Sequence, residues 1–66
     1  MKIITKKKAI KYIEKEIDSL NVECFRDKHE AFDYMYAKME LFYDMDILNK
    51  KELDVLWDKL TEKTGL

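Results

Sequence analysis

The sequence predicts an all-α fold, a small three-helix domain with a C-terminal antiparallel helical hairpin, taking in all 66 residues as a single domain. Three observations predict it. Proline is absent and the one glycine, Gly65, stands next to last, so the tight turns of a β-meander or a linker between domains have no residues to build them. Apolar side chains recur at spacings of three and four, the period of one helix face. Two stretches, at Asp27 with Glu30 and at Asn49 with Glu52, carry the cap-and-acid signature of a helix start.

The first helix is expected over residues 6–20. Thr5 is its N-cap, with a hydroxyl free to accept from the amides of Lys7 or Lys8. Ile3, Ile10, Ile13, Ile17 and Leu20 line a narrow apolar face, and Asn21 interrupts it. Val22 to Arg26 then reads as a connector with Val22 and Phe25 turned inward.

The second helix is expected over residues 27–45, opened by a capping box between Asp27 and Glu30. Phe32, Met35, Met39 and Phe42 form its central seam. Tyr34, Leu41 and Met45 widen that seam on one side, Tyr36 and Tyr43 on the other. The apolar arc spans about 220° at roughly 100° per residue, broken only by Lys38. Such a helix needs neighbours on more than one side.

The third helix is expected over residues 50–63. Asn49 and Glu52 form its capping box, Leu48 and Leu53 a hydrophobic staple, and Gly65 its stop. Leu53, Leu56, Trp57 and Leu60 make the buried stripe, with Trp57 mostly in the core. The short link from Asp44 to Leu48 brings the second and third helices into the hairpin.

Composition bounds the function. The charges sum to −1 but are segregated: residues 1–15 hold six lysines and one glutamate, whereas residues 16–49 hold nine acids against three bases. That balance disfavours nucleic acid, whose binding rests on neutralising phosphates. No run reaches the roughly 18 apolar residues of a membrane span, the first residues lack the apolar stretch of a signal peptide, and a single cysteine suits a reducing compartment. Cytoplasmic location and no membrane association are therefore expected. A basic amphipathic helix over residues 6–20 could lie on a membrane surface, but its apolar face has no Trp or Phe, and Glu14, Glu16 and Asp18 oppose anionic headgroups.

Chemistry is thinly represented. Cys24, His29 and Asp33 lack a glycine-rich loop or a cleft to activate a thiolate, so they read as a buried small thiol and surface polar groups, and no enzyme is expected. His29 with Asp33, and Asp44 with Asp46, fall short of any complete ligand set, so neither metal nor cofactor is expected. Lys6, Lys7 and Lys8 crowd a helix N-terminus whose dipole disfavours cations, which marks a candidate anion site beside the plainer reading of a solubilising cluster.

What remains is the surplus on the second helix. Two thin stripes cannot cover its arc, so the expected function is non-enzymatic protein association, with the chain itself or with a larger protein, as a small regulator or inhibitor. Its lysine- and isoleucine-rich, glycine-poor composition is of the kind found in small accessory proteins of bacteria and phages. Tyr36, Lys38, Met39 and Tyr43 are the expected partner-binding residues. The alternative is a DNA-binding helix-turn-helix with Lys50 and Lys51 on phosphate, which Glu52, Asp54, Asp58 and Glu62 on the same helix oppose.

Overall fold

The computed structural model describes residues 5–66, which form α1 (Lys6–Asp18), a short 3₁₀ turn (Val22–Cys24), α2 (Lys28–Asp44) and α3 (Lys50–Thr64), with no strand among them. Ile3, expected at the head of the first apolar face, lies outside the described residues.

Local chemistry accounts for most boundaries. Thr5 accepts the Lys8 amide at 3.2 Å, as its hydroxyl suggests. α1 stops two residues before the expected end. Ser19 turns its hydroxyl back onto the Lys15 carbonyl at 2.9 Å, and the Leu20 amide reaches Ile17 in a tightened final turn. Asn21 then accepts from the Glu23 amide and starts the 3₁₀ turn. At α2 only half of the expected box forms. Asp27 caps the Glu30 amide at 2.9 Å, while the Glu30 carboxylate turns to Arg26, 3.7 Å away. At α3 the box is complete, with both reciprocal bonds between Asn49 and Glu52.

The end of α2 is closed by a device with no glycine. Asp46 adopts φ 61°, its amide bonds the Tyr43 carbonyl, and the next amide, of Ile47, bonds the Phe42 carbonyl. This nested pair caps the orphan carbonyls in a Schellman arrangement, with aspartate in the left-handed position usually given to glycine. The chain is thereby turned so that Leu48 enters the core.

The core joins Ile13 and Ile17 of α1, Met35 and Met39 of α2, and Leu48, Leu53, Leu56 and Leu60 at and along α3. Polar contacts fix how the helices lie. Lys6 meets Glu52 at 3.3 Å, Glu14 meets Lys59, and Lys63 donates to the Asp18 carbonyl, so residue numbers rise together along α1 and α3. Tyr12 meets Phe42 and Glu16 meets Lys38, so numbers run oppositely along α1 and α2. Phe32 meets Trp57 while Tyr36 borders Leu53, and α2 and α3 likewise run in opposite order.

Two expectations about the interior are corrected. Trp57 is 43% exposed rather than mostly core, because the buried line of α3 runs through Leu53, Leu56 and Leu60, and Trp57 stands about 100° round the helix from Leu56. Its indole meets Phe32 edge-on, with centroids 6.1 Å apart, at the margin of the core. Cys24 is exposed rather than buried, since Val22 and Phe25 hold the half-buried positions of its turn.

Candidate functional site

The outward surface of the α1–α2 pair is built over one polar network. Lys38 of α2 donates to the Glu16 carboxylate at 2.7 Å, and the Tyr12 hydroxyl donates to the same oxygen at 3.3 Å. The Lys38 ammonium also sits 4.6 Å from the centre of the Tyr34 ring, which packs in turn on Phe25. On the other side Tyr12 meets Phe42, with centroids 6.1 Å apart. The lysine thus straps α1 to α2 while its stem and the rings about it keep the floor apolar.

Over this floor stand side chains that nothing among the described residues covers. Tyr34 and Leu41 of α2 and Met45 at its C-cap are exposed, Leu41 by 55% and Met45 by 57%, and Tyr12 of α1 faces the same opening. Their spacing of seven and four makes one stripe along α2. Single exposed apolar residues are ordinary, but a contiguous stripe flanked by aromatic rings is the usual mark of an interface.

Of the residues expected to bind a partner, one is excluded from any surface. Met39 is fully enclosed, because its place in the Met35–Met39 line points it straight into the core between α1 and α3. Lys38 is half-buried and engaged with Glu16 and Tyr34. Tyr36 is half-buried, stacked on Phe32 beside Trp57, and Tyr43 is exposed at the turn end with Lys6 and Asn49 nearby. Tyr36 and Tyr43 therefore flank α3, on the opposite side of α2 from the uncovered stripe. Tyr34, Leu41 and Met45 were visible in the sequence as the edge of the seam. What was missing was which edge would be covered.

The candidate anion site does not assemble. Lys6 turns towards α3 and binds Glu52, whereas Lys8 borders Tyr12 and Phe42 near α2. Consecutive residues diverge by about 100° on a helix, which separates the three ammonium groups. Lys50, assigned to phosphate in the helix-turn-helix alternative, bonds Asp54 at 3.2 Å. Among the described residues no three His, Cys, Asp or Glu side chains gather as a metal-ligand set. None of the described helices is long and apolar enough to cross a membrane.

The ion pairs give the fold a pH dependence with a definite sign. The hydrogen bond from Lys38 holds the Glu16 carboxyl below its ordinary 4.5, and the Asn49 amide does the same to Glu52. Lys38 is raised above the ordinary lysine value, chiefly by its bond to Glu16. For the two carboxylates the unfolded chain takes up protons first, so their contribution is complete above pH 4.5 and is lost as pH falls through their lower folded values. Thermal melts taken from about pH 7 to about pH 3 are expected to show a falling midpoint, and Glu16→Gln should flatten part of that fall. A midpoint unchanged in acid would mean that these pairs contribute nothing.

The chain matches no protein-family model, no curated protein and no solved structure.

Proposed function

We propose that this chain is a non-enzymatic protein-association module, a small regulatory or inhibitory accessory protein that acts through the outer surface of α2. One observation carries the reading: Leu41 and Met45 stand more than half exposed in line with Tyr34, next to Tyr12, on a floor already built and held by Lys38 and Glu16. Rigid backbone and pre-stacked rings reduce the entropy lost on docking, and aromatic and Met side chains supply adaptable contact area. The surface moves from the Tyr36–Tyr43 edge expected from sequence to the Tyr34–Leu41–Met45 edge.

The test places a photo-crosslinking amino acid at position 41, in the cells from which the chain comes, with position 58 on α3 as the control. Protein adducts at 41 that are absent at 58 are the expected result. Adducts at neither position, or equally at both, would overturn the reading. The DNA-binding alternative gains no support from Lys50, whose ammonium is held by an acid of its own helix.

A further inference from the structure

We infer that the occupant of this surface is a second copy of the same chain, with α1 of each copy lying antiparallel across α2 of the other. The inference rests on the association reading above and adds the partner's identity, and it is carried by the way charge divides across the face.

The α1 side of the opening is basic. Winding α1 at about 100° per residue from the buried Ile13 turns Lys8, Lys11 and Lys15 outward, beyond Tyr12. All three are exposed, and none forms an ion pair among the described residues. The α2 side is acidic. The same winding from Met35 turns Asp44 and Asp33 outward about 60° and 80° beyond Leu41, with Glu40 about 20° further round towards Tyr36, all exposed and likewise outside the ion pairs of the described residues. An apolar stripe therefore lies between a basic wall and an acidic wall. The acid native to the middle of this face, Glu16, is already taken by Lys38.

Only one way of stacking two such faces matches the charges. A two-fold axis perpendicular to the helices lays α2 on α2 and α1 on α1, acid against acid and lysine against lysine. An axis parallel to the helices lays α1 on α2 twice over. Register agrees with that choice. The contacts of Glu16 with Lys38 and of Tyr12 with Phe42 set Lys8 level with residue 46, just past the end of α2, and Lys11 and Lys15 level with residues 43 and 39 within it. The two-fold copy therefore brings these lysines to Glu40 and Asp44 of its partner, while Tyr12, Leu41 and Met45 of both copies close over the centre. The result is a four-helix layer with its apolar stripe inside. Two helices about 20–25 Å long and 10 Å wide offer on the order of 500 Å² per copy, the small end of specific interfaces, so the pairing is concentration-dependent.

Charge reversal in two chains tests this. In a Cys24→Ser background, which removes disulfide dimers through the exposed thiol, one variant carries Lys8→Glu, Lys11→Glu and Lys15→Glu, and the other carries Glu40→Lys and Asp44→Lys. Molecular mass is read from about 5 to about 500 μM, with circular dichroism to establish that each variant is folded. The parent should rise from 8.0 kDa towards twice that mass, and rise less in high salt. Each variant alone should stay monomeric, and an equimolar mixture should recover the dimer, since both α1–α2 contacts are then complementary. A parent that is monomeric throughout, folded variants that still dimerise alone, or a mixture that fails to recover would each overturn the inference. A monomeric chain whose position-41 adducts hold a foreign protein overturns the second copy but leaves the association reading standing. Absence of adducts overturns both.

Discussion

Replacing Met39 with glutamate is expected to unfold the chain, while the same charge placed two residues further on, at Leu41, leaves the fold intact. Met39 has no exposed surface and belongs to the apolar cluster that includes Met35, Ile13 and the α3 leucines. An unpaired carboxylate forced into that space costs several kcal/mol, by desolvation or by protonation, and the lost packing adds to it. A chain of this length has only about 3–10 kcal/mol to lose. Leu41 is 55% exposed, and a surface change of that kind shifts stability by about 0.5 kcal/mol or less. Helicity by circular dichroism and urea midpoints separate the two outcomes. A cooperatively folded Met39→Glu chain would show that the centre of α2 is not the core. Leu41→Glu should also abolish association, which makes it the clean probe of the surface.

The second expected result inverts side-chain size. Leu60→Ala should destabilise the domain by about 2–5 kcal/mol, since Leu60 is completely enclosed within the core cluster and its removal leaves a cavity there. Trp57→Ala deletes more atoms yet should cost less. Its indole is 43% exposed and meets Phe32 edge-on at the margin of the core. Urea unfolding of the two variants, compared at equal slope, measures the difference. Trp57→Ala proving the more destabilising would restore tryptophan to the core and undo the rotation assigned to α3.

The two results turn on the same geometric distinction. Met39 and Leu41 are both long apolar side chains of α2, and Leu60 and Trp57 both belong to the apolar stripe of α3. In each pair the sequence makes the residues alike and only the angle about the helix separates them. Read along the chain, α2 has a seam with edges on both sides, and its breadth announces that something more must cover it. Tyr36 and Tyr43 on one edge and Tyr34, Leu41 and Met45 on the other carry equal weight in that reading. The choice between edges depends on where Trp57 and Phe32 meet, on the stack of Tyr36 on Phe32, and on Lys38 reaching Glu16 across 22 positions of sequence.

What the sequence by itself determined is the set of helices and most of their ends. Thr5, Asp27 and Asn49 act on amides within three residues of themselves, so the physics of each cap is contained in a window that can be read directly. The segregation of lysines into α1 and acids into α2 was equally plain, because charge is a property of composition. Tertiary structure alone decided which way each helix is rolled. Burial of Met39, exposure of Trp57, dispersal of Lys6, Lys7 and Lys8, and the open stripe at Leu41 all follow from pairwise packing of side chains tens of residues apart, which no local pattern encodes. The same packing set the charged faces of α1 and α2 beside each other on one surface, where their opposition can act on a neighbour.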